Sequence, residues 1–375
     1  MAKSRSVLFL TLRVFSATGG IEKVCKVFGK ALMDIAGITN GMKVKVFSVY
    51  DNQKDVDTKY IPESNFAGFG KAKLKFVISA LWQSMKQDTI IVSHINILSV
   101  GYIAKFFFPK KRLILFAHGI EVWAQLSGVR KKMLSRCDNI LAVSQFTKDR
   151  LIEQCNVPDE KIIVLNNCLD PYLPPPLTYG KDENLMQRYR LAKNDIILFT
   201  LTRLSSKELY KGYDHVLYSM KQLKAKFPSL KYIIAGRYDA AEKKRLDAII
   251  EQCYLQGQVV FTGYIPDEEL AAHFSLADVY IMPSKKEGFG IVFIEAMYYG
   301  LPVIAGNKDG SADALVNGKL GMLVDPDNKK EIEMALEKII LNKSLYQPDK
   351  ILLDEFFSYT AYKQKCAVIL DAALT

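Results

Sequence analysis

The chain is poor in the residues that build metal centres and disulfide frameworks. Its four histidines are scattered. Its six cysteines, Cys25, Cys137, Cys155, Cys168, Cys253 and Cys366, form no C-x-x-C pair. That pattern excludes a structural zinc and points to a reducing, cytoplasmic compartment. A cleavable leader is not expected: the short apolar run after Lys3 and Arg5 passes into TLRVFSATGG without a small-residue cleavage pattern, and reads as a first strand. Long hydrophobic spans are missing too. The most apolar stretch, residues 89–108, is interrupted by Ser93, His94, Asn96 and Lys105, which suits a strand followed by a core helix. The absence of G-x-G-x-x-G weighs against a nicotinamide-dependent oxidoreductase. Without aromatic RNA-binding motifs or helix-turn-helix cues, a nucleic-acid-binding module is not expected either.

What is present suits two globular α/β domains. The 375 residues are 49% hydrophobic, enough for two sizeable cores. The charge is uneven. Residues 1–170 hold 25 basic and 14 acidic side chains, so the whole net charge of +11 lies there. Such an excess fits an anionic partner. Runs such as VLFLTL, KVKVFSVY, TIIVSH, RLILFAH, NILAVS and KIIVLNN, then DIILFTL, KYIIAG, QVVFTG, DVYIMPS, LPVIAG and GMLVD, are continuous rather than alternating. Continuous runs suit parallel strands covered by helices on both faces, giving two Rossmann-like, doubly wound domains. Pro171 and Pro174 to Pro176 mark a linker, placing the domains at 1–175 and 176–355. The ligand is expected at strand carboxyl ends, in a cleft between the two domains.

Four stretches carry chemistry. In SKKEGFGIVFIEAMYYG a strand precedes a glycine turn and a short helix closed by Gly300 and Pro302; the helix start offers unpaired N–H groups to a phosphate or a sugar hydroxyl. Glu287 is placed to accept from a polyol, and Glu295 from a ribose. Arg203, Lys207 and Lys211 follow another strand, where paired cations match a departing diphosphate. Gly19 and Gly20 lead into a helix after the first strand, and His118 ends the fourth apolar run beside a glycine. Asp55-Val-Asp57 and Asp325-Pro-Asp327 match a metal-binding D-x-D, but such strings are common in loops, and no metal is expected.

Together Arg203, Lys211-Gly212, EGFGIVFIE, the Gly-Gly turn, HGIEVW, AVSQFTKDRL and VLNNCLDPYLPP resemble a retaining GT-B-fold glycosyltransferase of family 4 over nearly the whole chain. The resemblance implies a nucleotide-sugar donor, with a GDP- or UDP-sugar as substrate and no cofactor, and a saccharide or lipid-linked acceptor held by the N-terminal domain. By the same resemblance Glu287 contacts the donor sugar with the backbone of Gly288, Phe289, Gly290 and Ile291, and Glu295 binds the ribose. Arg203 and Lys211 stabilise the diphosphate, with Lys207 as a rival ligand; Gly19 and Gly20 lie near it, and His118 lies near the transferred sugar. The last helix, about 356–375, crosses back to the first domain. The sequence departs from the pattern at Asn167-Cys168 and in the GRYDA turn. Lysines mixed with apolar residues in GFGKAKLKFVISALWQSM and AKFFFPKKR add a possible peripheral contact with an anionic membrane surface.

Overall fold

The computed structural model describes residues 6–177 and 180–372. Lys3, Arg5, the linker residues Thr178 and Tyr179, and the last three residues of the expected C-terminal helix lie outside them. The chain divides into two compact units. One runs to Pro171 and takes back the chain from Phe357 onward; the other is Tyr172–Phe356.

The first unit has a seven-stranded sheet in the order β3-β2-β1-β4-β5-β6-β7. Its strands are β1 (Ser6–Thr11), β2 (Lys43–Ser48), β3 (Phe66–Gly68), β4 (Thr89–Val92), β5 (Arg112–Ala117), β6 (Asn139–Ala142) and β7 (Ile162–Val164). The second unit has six, in the order β10-β9-β8-β11-β12-β13: β8 (Ile196–Leu201), β9 (Leu230–Ala235), β10 (Val259–Gly263), β11 (Val279–Met282), β12 (Val303–Gly306) and β13 (Met322–Val324). All pairings are parallel. The two-domain Rossmann-like architecture is thus present. Twelve strands fall on the apolar runs. The exception is β3, three residues long and without a run of its own, and its presence makes the strand ending at His118 the fifth.

Helices cover the strands for the reason the runs are continuous: both faces need cover. In the helix Gly20–Ile38 the residues Val24, Phe28, Ala31, Leu32 and Ile35 recur at helical spacing and are buried. Phe28 meets Phe9 of β1 and Phe116 of β5 edge-on, with both centroid separations 5.1 Å. The final helix, Tyr359–Ala372, belongs to this unit and packs on Gly20–Ile38, where the Tyr359 hydroxyl donates to Asp34 Oδ2 at 2.7 Å. The preceding helix Lys350–Phe357 is separate from it, broken at Ser358.

The stretch 89–108 folds as β4 followed by the helix Leu98–Phe107. Gly101 seats that helix on the sheet: a Cβ there would lie 2.6 Å from Leu113 Cδ1 and 2.9 Å from Val92 Cγ2. Gly101→Val is therefore expected to cost about 1–3 kcal/mol in chemical denaturation; an unchanged midpoint would contradict this packing.

Candidate functional site

In each sheet the strand order reverses once, between β1 and β4 and between β8 and β11. Open α/β sheets bind ligands beyond the carboxyl ends of the strands at such reversals. The glycosyltransferase-like residues singled out in the sequence lie on loops leaving these strands or their neighbours, or in the helices those loops enter.

In the second unit the loops after β8 and β11 are locked together. Gly212 has φ +79°, and any Cβ there would collide with the carbonyl oxygen of Pro283; only glycine lets the backbones meet. Lys285 N–H donates to the Tyr210 carbonyl at 2.9 Å. Lys211 Nζ donates to Glu287 Oε1, and both side chains are largely buried. Burial alone would lower the Lys211 pKa, but Glu287 outweighs it and the pKa is raised. The ammonium stays charged at neutral pH. Arg203, 71% exposed in its side chain, pairs with Glu208. Burial raises the Tyr210 pKa, and Lys211, Glu208, Glu287 and Arg203 all act electrostatically on its hydroxyl. The four charges thus form one cluster around a single tyrosine, linked as Arg203–Glu208 and Lys211–Glu287. Lys207 is exposed and, among the described residues, makes no ion pair.

The Glu287 loop is held from the next strand. Asp309, three residues beyond β12, accepts from Glu287 N–H at 2.7 Å and from Ser311 N–H at 2.9 Å. Gly310 N–H donates back to the Glu287 carbonyl at 2.8 Å. A Cβ at Gly310 would collide with the carbonyl oxygen of Gly288, so this approach also requires glycine. Gly288 and a buried Phe289 follow, and Gly290 opens the helix Ile291–Tyr298. Phe293 N–H donates to the Gly290 carbonyl at 3.0 Å, which leaves the N–H groups of Ile291 and Val292 as the ones without intrahelical acceptors. Glu295 lies within this helix at 3% exposure, and its charge acts on the hydroxyls of Tyr280 and Tyr299.

The loop after β8 is held in the same way. Asp239, just beyond β9, accepts from Ser206 N–H at 2.8 Å and from Glu242 N–H at 2.8 Å. Those bonds, the one from Glu242 first, push its pKa down to about 2.

In the first unit Gly19 caps the helix that Gly20 begins. The loop from β1 to these glycines is held by Asp51, three residues beyond β2, which accepts from Val14 N–H at 2.6 Å, Ser16 N–H at 2.7 Å and Ser48 Oγ at 2.6 Å. His118 follows β5 and is buried, stacked on Phe116. Its Nε2 lies 2.8 Å from the Ser93 carbonyl, and its own N–H donates to Glu121 Oε1 at 2.5 Å. Burial pulls its pKa down to about 4, against the Ser93 bond. The ring is neutral at pH 7, with Nε2–H donated to Ser93. Nδ1 is buried without a partner among the described residues. The imidazole can therefore accept a hydrogen bond from a hydroxyl, but it is not a cationic acid.

Neither D-x-D string gathers acidic groups for a metal. Asp325 and Asp327 pair with Lys308, and Asp327 also with Lys285. Asp55 accepts from Asn52 N–H, and Asp57 pairs with Lys59. Among the described residues no group of three or more histidine, cysteine or acidic side chains is placed to hold a metal ion.

Sequence reasoning missed Asp51, Asp239, Asp309 and Glu208. The first three share a signal: each is an aspartate three or four residues beyond an apolar strand, in FSVYD, IAGRYD and IAGNKD.

Two family models match this chain, glycosyltransferase family 4 over residues 18–172 and glycosyl transferases group 1 over residues 181–350. The chain belongs to the family 4 glycosyltransferases. Among family relatives, a GDP-mannose-dependent alpha-(1-6)-phosphatidylinositol monomannoside mannosyltransferase of Mycobacterium tuberculosis is 28% identical over 245 residues, 62% of this chain and 61% of that protein. The match thus spans less than two thirds of that relative. Solved structures share the fold at lower identity. A glycosyltransferase from Rickettsia africae ESF-5 superposes with a TM-score of 0.80 at 18% identity over 100% of both chains. Anabaena HepE in complex with UDP gives 0.78 at 21% identity, over 98% of this chain and 100% of that one. Both matches bear out the GT-B architecture.

Burial pushes Asp309 from its ordinary 3.8 up to about 7, with Ser311 opposing and Glu287 adding to the shift. A raised folded-state pKa means that folding favours the protonated form. The resulting stabilisation is complete below the unfolded value and is lost as pH rises through about 7. Between pH 5 and 8 the stability of the wild type relative to Asp309→Asn should fall by about 2–3 kcal/mol, as read by urea denaturation at each pH. Parallel stability curves would refute this assignment.

Proposed function

We propose that this protein is a retaining, metal-independent glycosyltransferase that moves a hexose from a GDP- or UDP-sugar to a saccharide or lipid-linked acceptor in cell-surface polysaccharide or glycolipid synthesis. The carrying observation is the cluster of Arg203, Lys211 and Glu287 beside the glycine turn and helix start, at the strand-order reversal of the second sheet. Family membership supports the reaction class. The relative's name, GDP-mannose-dependent, and the UDP bound to the similar structure support a nucleoside diphosphate as carrier. A cytoplasmic location agrees with six free, buried cysteines.

In this reading the donor diphosphate meets Arg203 and Lys211, with Lys207 as a further cation at the loop, and the helix start from Ile291. Glu287 and the backbone of Gly288, Phe289 and Gly290 take the sugar hydroxyls, and Glu295 serves the ribose. Within the N-terminal unit, His118 Nδ1, buried without a partner among the described residues, is suited to accept from a sugar hydroxyl, and the Gly19–Gly20 helix start is the turn that the family resemblance assigns to phosphate. The bond from the anomeric carbon to the phosphate oxygen breaks as the acceptor oxygen bonds to that carbon on the same face. The acceptor proton passes to the departing phosphate oxygen. No protein nucleophile is required, and the two cations neutralise the charge that develops on the leaving group. They take the role that a divalent metal plays in other transferases.

Two measurements test the reading. A thermal-shift panel of GDP- and UDP-sugars should single out the donor, because a ligand at 100 times its dissociation constant adds about 2.7 kcal/mol of stability. With that donor, Glu287→Ala, Lys211→Ala and Arg203→Ala should each lower kcat by on the order of a hundredfold or more while the fold persists. Near-normal turnover in Arg203→Ala and Lys211→Ala would contradict the assignment, as would a panel without a stabilising nucleotide sugar.

A further inference from the structure

The helix Lys73–Ser84 of the first unit carries apolar residues on two faces. Phe76, Ala80 and Ser84, at intervals of four, are buried against the sheet. Leu74, Ile78, Trp82 and Met85 lie along another face at helical spacing and are exposed, Leu74 to 74%. The helix Leu98–Phe107 packs beside it and ends in Phe106 and Phe107, also exposed, Phe106 to 72%. The two helix ends are tied together, since Lys111 Nζ donates to the Met85 carbonyl at 3.0 Å. Two neighbouring helices thus present six exposed apolar side chains between them, where isolated ones would need no explanation.

Positive charge rims this surface. Lys71, Lys73, Lys75, Lys86 and Lys110 are exposed around it, and Lys86 Nζ sits 3.6 Å above the Trp82 ring. Residues 71–112 contain eight basic side chains and one acidic one, Asp88, whose carboxylate accepts from Ser6. An apolar stripe with a lysine border and a tryptophan at its edge is the pattern of a helix lying in the headgroup plane of an anionic bilayer. Among the described residues no helix is long and apolar enough to cross a membrane.

We propose that this face docks the protein on an anionic lipid bilayer, with Leu74, Ile78, Trp82, Met85, Phe106 and Phe107 in the headgroup region and the lysines on lipid phosphates. The inference concerns a surface apart from the donor loops and is read without substrate, so it stands or falls separately from the transfer reaction.

The test is flotation of the full chain with phosphatidylcholine vesicles, with and without a third of phosphatidylglycerol. Binding should be at least about tenfold stronger to the anionic vesicles and weaken as salt is raised. Leu74→Ser, Ile78→Ser and Trp82→Ser combined should lower it at least about tenfold while leaving circular dichroism and any donor-induced thermal shift unchanged. The chain has two tryptophans, so in Trp123→Phe the emission reports Trp82 alone, and brominated lipid should quench it. Equal flotation with both vesicle types, emission untouched by brominated lipid, or a lipid-free dimer that shields Trp82 from soluble quencher would each overturn the proposal.

Discussion

The candidate loops of each unit depend on an aspartate at the end of one strand accepting backbone N–H groups from the loop that follows the neighbouring strand. Asp51 does this from β2 for the loop after β1, Asp239 from β9 for the loop after β8, and Asp309 from β12 for the loop after β11. A loop meant to approach a ligand cannot satisfy its own N–H groups through a ladder or a helix, and unpaired donors are costly once water is excluded. One carboxylate accepts two or more of them without adding bulk beside the ligand. Parallel pairing puts each aspartate at the right height, because adjacent strands end side by side at the same edge of the sheet.

The environments of these aspartates separate their roles. Asp239 is only half-buried and gains two backbone bonds, so it is held ionised with ease. Asp309 is buried beside Glu287 and its ionised form is disfavoured, so the same hydrogen-bonding pattern costs more there. That cost falls on the loop that carries Glu287. The Lys211–Glu287 pair partly offsets it by neutralising the second carboxylate, and Glu287 in turn keeps the buried ammonium charged. The cluster thus holds a cation in a largely buried place, where a cation acts most strongly on a diphosphate.

Much of this was legible in the sequence, and the rest was hidden for physical reasons. The strands of a parallel sheet covered on both faces announce themselves as continuous apolar runs, and β3 was missed because three residues form no run. Glycines at 212, 290 and 300 marked real turns, each with positive φ. Glu287 and Lys211 stood out singly, but their direct pairing depends on the contact of two loops 76 residues apart, and no local pattern encodes it. Arg203 and Lys211 were expected to face one ligand; that each has a carboxylate partner, Glu208 and Glu287, depends on side-chain packing. The aspartates after β2, β9 and β12 were written in the sequence as a repeated strand-then-Asp pattern. Its meaning needs the strand order, since the loop each one holds belongs to the preceding or following strand in space and not to its own.

The helix Lys73–Ser84 shows the limit of periodicity from the other side. Leu74, Phe76, Val77, Ile78, Ala80, Leu81 and Trp82 cover about two thirds of its circumference, leaving Lys75, Ser79 and Gln83 on the rest, and so broad an apolar face is ordinarily read as core. The sheet can cover only one flank of it. The position of Phe76 and Ala80 against β1 and β2 decides which flank is buried, leaving Leu74, Ile78 and Trp82 outward. The lysines are what distinguish this outward flank from a packing defect. Their long stems can lie along apolar surface while their charges reach polar surroundings, and they concentrate the unit's positive excess where the apolar side chains emerge. A surface under selection for solubility alone has no reason to combine the two.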